Sequence, residues 1–166
     1  MEKQLEELEL LLSQELDLHN SLLNVTKEFN GAIKENNLDL IRKKTTEQDE
    51  HICSIERLEE SRKECCKSIL GQLNSTIFNA KFTYILERLP DNWKTKLMKL
   101  HASLKSVIQE LTSINTSNRI LLEEADRMIG KTLAYFTQSR TTLYSYSQQG
   151  KVPVKQSGFT LYNNVI

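Results

Sequence analysis

The three histidines and three cysteines are the strongest candidates for metal binding or nucleophilic chemistry in this chain. A di-metal helical bundle needs two Glu-x-x-His pairs facing inward, and the sequence has none. His19 follows Glu15 by four residues, a spacing that makes one surface pair at best, and neither His51 nor His101 completes a Glu-x-x-His pair. Cys53, Cys65 and Cys66 form no C-x-x-C motif, so neither a zinc knuckle nor a dithiol site is indicated. An odd count that includes two adjacent cysteines is a poor disulfide framework, and reduced thiols are the simplest account. The cations of "SRKE" before Cys65 favour a thiolate. Cys66, however, lies on the apolar seam of its helix, where burial acts the other way, and small core cysteines are expected. G-x-S-x-G, G-x-G-x-x-G, H-E-x-x-H and the P-loop are all absent. The expectation is a protein that is not an enzyme and uses no metal or cofactor.

Charge excludes further classes. Lys+Arg and Asp+Glu both number 22, so overall charge argues for no nucleic-acid partner. The distribution is uneven. Residues 1–70 hold 16 acids against 10 bases, and from Arg127 onward there are five bases and no acid. Such a run is either a solvated tail or an acceptor for an acidic partner surface. Tyr144, Tyr146, Lys151, Lys155, Phe159 and Tyr162 mix aromatics with bases, as single-stranded nucleic-acid binders do. They are too few and too scattered for that role. The acid-interrupted start "MEKQLEELELLLSQELDL" is no signal peptide, and no apolar run is long enough to span a membrane.

The elements that carry these residues are helices. Only 2 prolines and 5 glycines interrupt 166 residues, and both types break helices. Leu5, Leu8, Leu12, Leu16, His19, Leu23, Thr26 and Phe29 recur at three- and four-residue steps and predict a first helix. Asn30-Gly31 weakens its end, and Asn37 caps a second helix from about Leu38 to about Leu73. The seam of that helix is partly polar (Thr45, Gln48, Glu59 and Arg62 share it with isoleucines), so tight pairing is expected at both ends and loose pairing between. A short helix, "KFTYILERL", precedes Pro90, and Asp91 can cap the last helix. That helix keeps its apolar step from Trp93 to Met128, with Phe136 as an extension. The fold expected is all-α: an antiparallel bundle of three long helices with a short extra helix, in a domain 1–140, and a flexible C-terminal tail, 141–166.

The last third of the long helix has more apolar residues than one seam requires. Leu121, Leu122, Ala125, Met128, Ile129, Leu133, Tyr135 and Phe136 cover two faces, with Leu122 and Ile129 one step off the seam. Either a neighbour or a second copy covers the extra face, as in a structural coiled-coil homodimer or an adaptor with no client, or the face is a groove for a partner's helix. Met128 suits such a groove because its thioether adapts to different partners.

Three features resemble the FlgN family of flagellar export chaperones. "INTSNRILLEE", residues 114–124, is similar to that family's N-x-x-N-x-x-L-L signature, with Asn115, Asn118, Leu121 and Leu122 in its places. "TLYSYSQQGK", residues 142–151, is similar to the family's Thr-Leu-Tyr followed closely by glycine. Tyr144 matches by its Thr-Leu prefix and Tyr146 by its distance to Gly150, while a serine replaces the family's first glycine. The third feature is the order of the helices. The resemblance implies a cytoplasmic chaperone that binds the C-terminal assembly segments of hook-associated (FlgK- and FlgL-type) proteins and prevents their premature association. It also implies delivery to the export gate protein FlhA. On that reading Leu121, Leu122, Ala125, Met128, Ile129, Leu133 and Phe136 face the client, Tyr144 and Tyr146 dock the gate, and Asn115 and Asn118 set helix register. No nucleic acid and no membrane insertion are implied, and a homodimer is compatible.

Overall fold

The computed structural model describes residues 1–72 and 82–140. Four helices appear in the order α1 (Glu2–Lys34), α2 (Leu38–Gln72), α3 (Phe82–Leu86) and α4 (Asp91–Arg140), and no strand occurs among the described residues. The 50 residues of α4 give it a length of ~75 Å. The chain divides into two compact units, Met1–Ala125 and Asp126–Ile166.

In the first unit α1 is the helix that the others share. Leu5, Leu12, His19 and Thr26 are buried at seven-residue intervals, with Leu8 and Glu15 forming a second column. That is the heptad pattern of a helix with partners along its length. Two consecutive asparagines set its end. Asn36 adopts a left-handed φ of 53°, a conformation asparagine tolerates better than most side chains. The Asn36 N–H donates to the Ile33 carbonyl and the Asn37 N–H to the Ala32 carbonyl. This pair of bonds satisfies carbonyls that a helix C-terminus otherwise leaves open. The Asn37 side chain acts in the other direction, where its Oδ1 accepts the Leu40 N–H at 3.1 Å and caps α2. One residue thus closes one helix and opens the next, and the helix passes through Gly31 without ending there.

Cross-helix bonds define the directions. Arg62 meets Glu15, Gln48 meets Thr26 and Lys44 meets Glu28, so α1 and α2 run antiparallel. Lys96 meets Glu9, Glu110 meets Lys27 and Asn118 meets Asn30, so α4 meets α1 as a parallel neighbour. The sequence reading expects only antiparallel ones.

The apolar core lies where α1 begins and α2 ends. Leu5, Leu8 and Leu12 pack with Cys65, Ile69 and Leu70, with Leu97 and Leu104 of α4, and with Ile85, Leu86 and Leu89 from the α3 segment. The short helix occupies Phe82–Leu86, less than the sequence suggests, and Phe82 stacks on His101 at 5.1 Å. Asp91 is the first residue of α4 rather than its cap, because the Pro90 carbonyl already accepts the Lys94 N–H. Its carboxylate still lies in the first turn, where the helix dipole favours an acid.

Helix α2 pairs tightly at one end only. Ile55, Cys65, Ile69 and Leu70 are its buried residues, while Leu38 and Ile52 are exposed. In its first half the link to α1 is polar: Gln48 Nε2 donates to Thr26 Oγ1 at 3.0 Å, and the Lys44 ammonium bridges Glu28 and Glu47. The sequence reading expects tight packing at both ends.

Glu15 and His19 are not a surface pair. Glu15 is 1% exposed, and Arg62 Nε shares its proton between the two carboxylate oxygens at 2.8 and 3.0 Å. His19 is buried one turn on, its Nδ1 2.7 Å from the Glu15 carbonyl. Arg62→Leu leaves a carboxylate buried without its partner, and the expected loss is roughly 3 kcal/mol in urea unfolding. Pairing it with Glu15→Leu is expected to restore most of that loss. An Arg62→Leu chain as stable as the parent would show that the pair does not hold this interface.

Candidate partner-binding surface

In the first unit α4 presents two apolar columns at seven-residue intervals. Leu97, Leu104, Leu111 and Asn118 are buried, and Leu100, Val107, Ile114 and Leu121 are half-buried. Leu122 is 43% exposed, and Ala125, which the sequence pattern counts as seam, is exposed too.

In the second unit the described part is the stretch from Asp126 to Arg140 of the same helix. Its large apolar residues are exposed: Met128 at 67%, Ile129 and Leu133 at 60% and Phe136 at 63%. Steps of four and three residues put Ile129, Leu133 and Phe136 on one helical face, with Met128 beside it. Tyr135 is exposed as well, and its ring meets that of Phe136 edge-on at 6.1 Å. The threonines between them add little polarity. Thr132 donates its hydroxyl to the Met128 carbonyl at 2.9 Å, and Thr137 donates to the carbonyls of Leu133 and Ala134. Hydroxyls bonded back to their own helix leave methyl groups to the outside. The stretch is therefore an amphipathic helix whose apolar face lies open to water. Contiguous exposed apolar area of this kind marks interaction sites.

The two motif asparagines differ. Asn115 is exposed. Asn118 is buried, and its Oδ1 accepts Asn30 Nδ2 at 2.6 Å, between residues 88 apart in sequence. Asn118 Nδ2 is buried and has no hydrogen-bond partner among the described residues. A buried donor left unmatched costs about 1–3 kcal/mol, which singles this residue out from the apolar column it belongs to. Beside it, Lys27, Asn30, Ile114 and Ser117 line an open cavity of about 180 Å³. The sequence reading has no role for Asn30, which there only weakens a helix end. Its spacing carries no signal of a partner on a distant helix. Tyr144 and Tyr146 lie outside the described residues.

Among the described residues no group of three or more metal-ligating side chains occurs. Burial pushes the Cys65 thiol up to about 11, with Glu7 and Cys66 adding to the effect, and its Sγ donates to the Gln4 carbonyl at 3.3 Å. Burial also raises the Cys66 thiol, against an opposing pull from Arg62. A protonated thiol is a poor nucleophile. No described helix is long and apolar enough to cross a membrane.

Residues 1–153 match the family model described as FlgN protein. The chain belongs to the FlgN family, a family of flagellar export chaperones. Comparison with curated proteins and with solved structures gives no match.

The thiols yield a direct check on the packing. Iodoacetamide near neutral pH is expected to label the exposed Cys53 well before Cys65. Cys65 should become reactive only as pH approaches about 11 or as the chain unfolds. Peptide mass spectrometry after timed labelling distinguishes the sites, and equal rates at neutral pH would contradict a buried Cys65.

Proposed function

We propose that this FlgN-family chain is a cytoplasmic export chaperone that holds the C-terminal assembly segments of hook–filament junction proteins against the exposed apolar face of α4. The observation that carries the reading is that face itself. Met128, Ile129, Leu133 and Phe136 are open to water on a regular helix, in a family whose members are flagellar export chaperones. Leu121, Leu122 and Ala125 precede them on the same helix and belong to the proposed strip.

The mechanism needs no covalent step. A disordered assembly segment exposes apolar positions that fold into a helix when they find a complementary face. Covering one large apolar side chain fully contributes roughly 1.5–3 kcal/mol. Ordering the client takes back about 2–5 kcal/mol. A strip of this size therefore gives moderate affinity, enough to prevent premature association and low enough for release. Tyr144 and Tyr146, in the tail 141–166, are the proposed contacts to FlhA at the export gate. Of the motif asparagines, Asn118 is proposed to fix the register of α4 against α1, a role that a buried asparagine fills at some cost in stability. The exposed position of Asn115 does not point to that role.

The test is calorimetric titration of a hook–filament junction protein into the full chain and into the double variant Leu122→Gln, Ile129→Gln. Both sites are exposed, so thermal stability is expected to stay within about 0.5 kcal/mol of the parent, while binding is lost. Unchanged binding by the folded variant removes the strip assignment. A tight homodimer that the same substitutions dissociate would instead assign the strip to self-pairing.

A further inference from the structure

We propose that the stretch of α4 from Arg127 to Thr137 is also an interfacial helix, one that lies on the surface of an anionic lipid bilayer. The inference goes beyond the client reading and does not depend on it. It gives a role to the run of bases without acids, which the client reading leaves unused.

Three observations select this partner. First, the apolar face is wide. At ~100° per residue, Tyr135, Met128, Phe136, Ile129 and Leu133 follow one another around the helix over an arc of ~160°, and all five are exposed. Thr132 lies inside the arc with its hydroxyl bonded back to the Met128 carbonyl, so its methyl group joins the apolar face. A single partner helix covers two columns of a seam, which is narrower than this arc. Lipid has no such limit, because acyl chains conform to any apolar width laid on them.

Second, the opposite side is basic. Between Arg127 and Thr137 the rest of the circumference holds Arg127, Gly130, Lys131, Ala134 and Thr137, so its long side chains are two bases. Lys and Arg on the polar side, with Leu and Phe on the other, are the composition of helices that lie in the plane of a bilayer interface. Their apolar face sinks ~5–10 Å into the headgroup boundary.

Third, the charge changes sign at one point in the sequence. Glu123, Glu124 and Asp126 precede the stretch, and from Arg127 onward there are five bases and no acid. An anionic surface repels the first group and attracts the second, so contact begins where the stretch begins. Tyr135 lies at the edge of the arc, where an apolar ring with a polar hydroxyl suits the headgroup level. Such a helix rests on the bilayer without crossing it, and no described helix is long and apolar enough to cross. On the client reading, lipid and client would compete for the same apolar side chains, so adsorption would favour client release.

The experiment is co-sedimentation of the full chain with vesicles, with no client present. One set is pure phosphatidylcholine, and the other is an equal mixture of phosphatidylcholine and phosphatidylglycerol. The chain is expected to bind the anionic vesicles at low salt and the neutral ones about tenfold more weakly. Raising the salt should weaken the anionic binding. Two variants locate the contact. Lys131→Glu reverses one charge, while Leu133→Gln combined with Phe136→Gln removes apolar area and keeps every base. All three sites are exposed, so circular dichroism is expected to show the parent helix content. Each variant should lose about tenfold in affinity for anionic vesicles. No binding to anionic vesicles overturns the proposal and leaves an acidic protein surface as the partner of the basic run. Equal binding to neutral vesicles, salt-independent binding or unchanged binding by either folded variant overturns it as well. Client binding, titrated separately, can survive any of these results.

Discussion

Glu15 carries a carboxylate into the apolar seam of α1, where water is excluded. A charge in that position is tolerable only with a close counter-charge, and Arg62 supplies it through one N–H shared by both oxygens. The demand is geometric as well as electrostatic. Sliding α2 by one residue along α1 would withdraw the guanidinium and strand the carboxylate. The pair therefore fixes which residues of α2 face α1, and the apolar packing of Cys65, Ile69 and Leu70 against Leu5, Leu8 and Leu12 follows from that register. A buried pair of this kind adds little net stability over a hydrophobic replacement. Its contribution is to make the alternatives worse.

The same logic recurs along α1. Thr26 takes a bond from Gln48, and Asn30 bonds Asn118. Glu15, Thr26 and Asn30 each have their own partner on α2 or α4, so each neighbour is aligned separately. The cost is visible in α2, whose first half contributes no buried apolar residue. That half is held to α1 by hydrogen bonds and ion pairs that are partly open to water, and such links contribute little individually. Local opening is therefore cheaper there than around Leu5, Leu8 and Ile69.

The helices were legible in the sequence because heptad spacing is a local signal. The Asn36–Asn37 turn was legible for the same reason, since Asn37 caps a helix that starts at the next residue. What local spacing could not convey was depth. Glu15 and His19 sit four apart, as exposed pairs often do, and only the neighbouring helices bury them. Leu38 and Ile52 look like seam residues, yet burial needs an apolar partner opposite, and their half of α2 meets α1 through polar links. Asp91 has the composition of a cap but follows a proline whose carbonyl already begins the helix. Within the candidate surface, the apolar stretch itself was readable as an excess over one seam. The Asn30–Asn118 bond was not, because nothing in the spacing of Asn30 announces a partner 88 residues away.

Helix α4 shows why composition alone does not separate core from exposed surface. Leu97, Leu104 and Leu111 are buried, while Leu133 of the same helix is exposed, although all four are the same side chain on the same backbone. The difference lies in what covers them. A fold can leave a leucine uncovered only if it does not need that burial for stability, and the core built from Leu5 to Leu104 closes without it. Because the core does not draw on them, the later apolar residues add little to stability, and under the proposed function their burial by a client would appear as affinity instead. The polar residues that align α1 with its neighbours serve the same end. They hold the scaffold in one arrangement, so that in the proposed complex binding energy would not be lost to rearranging it.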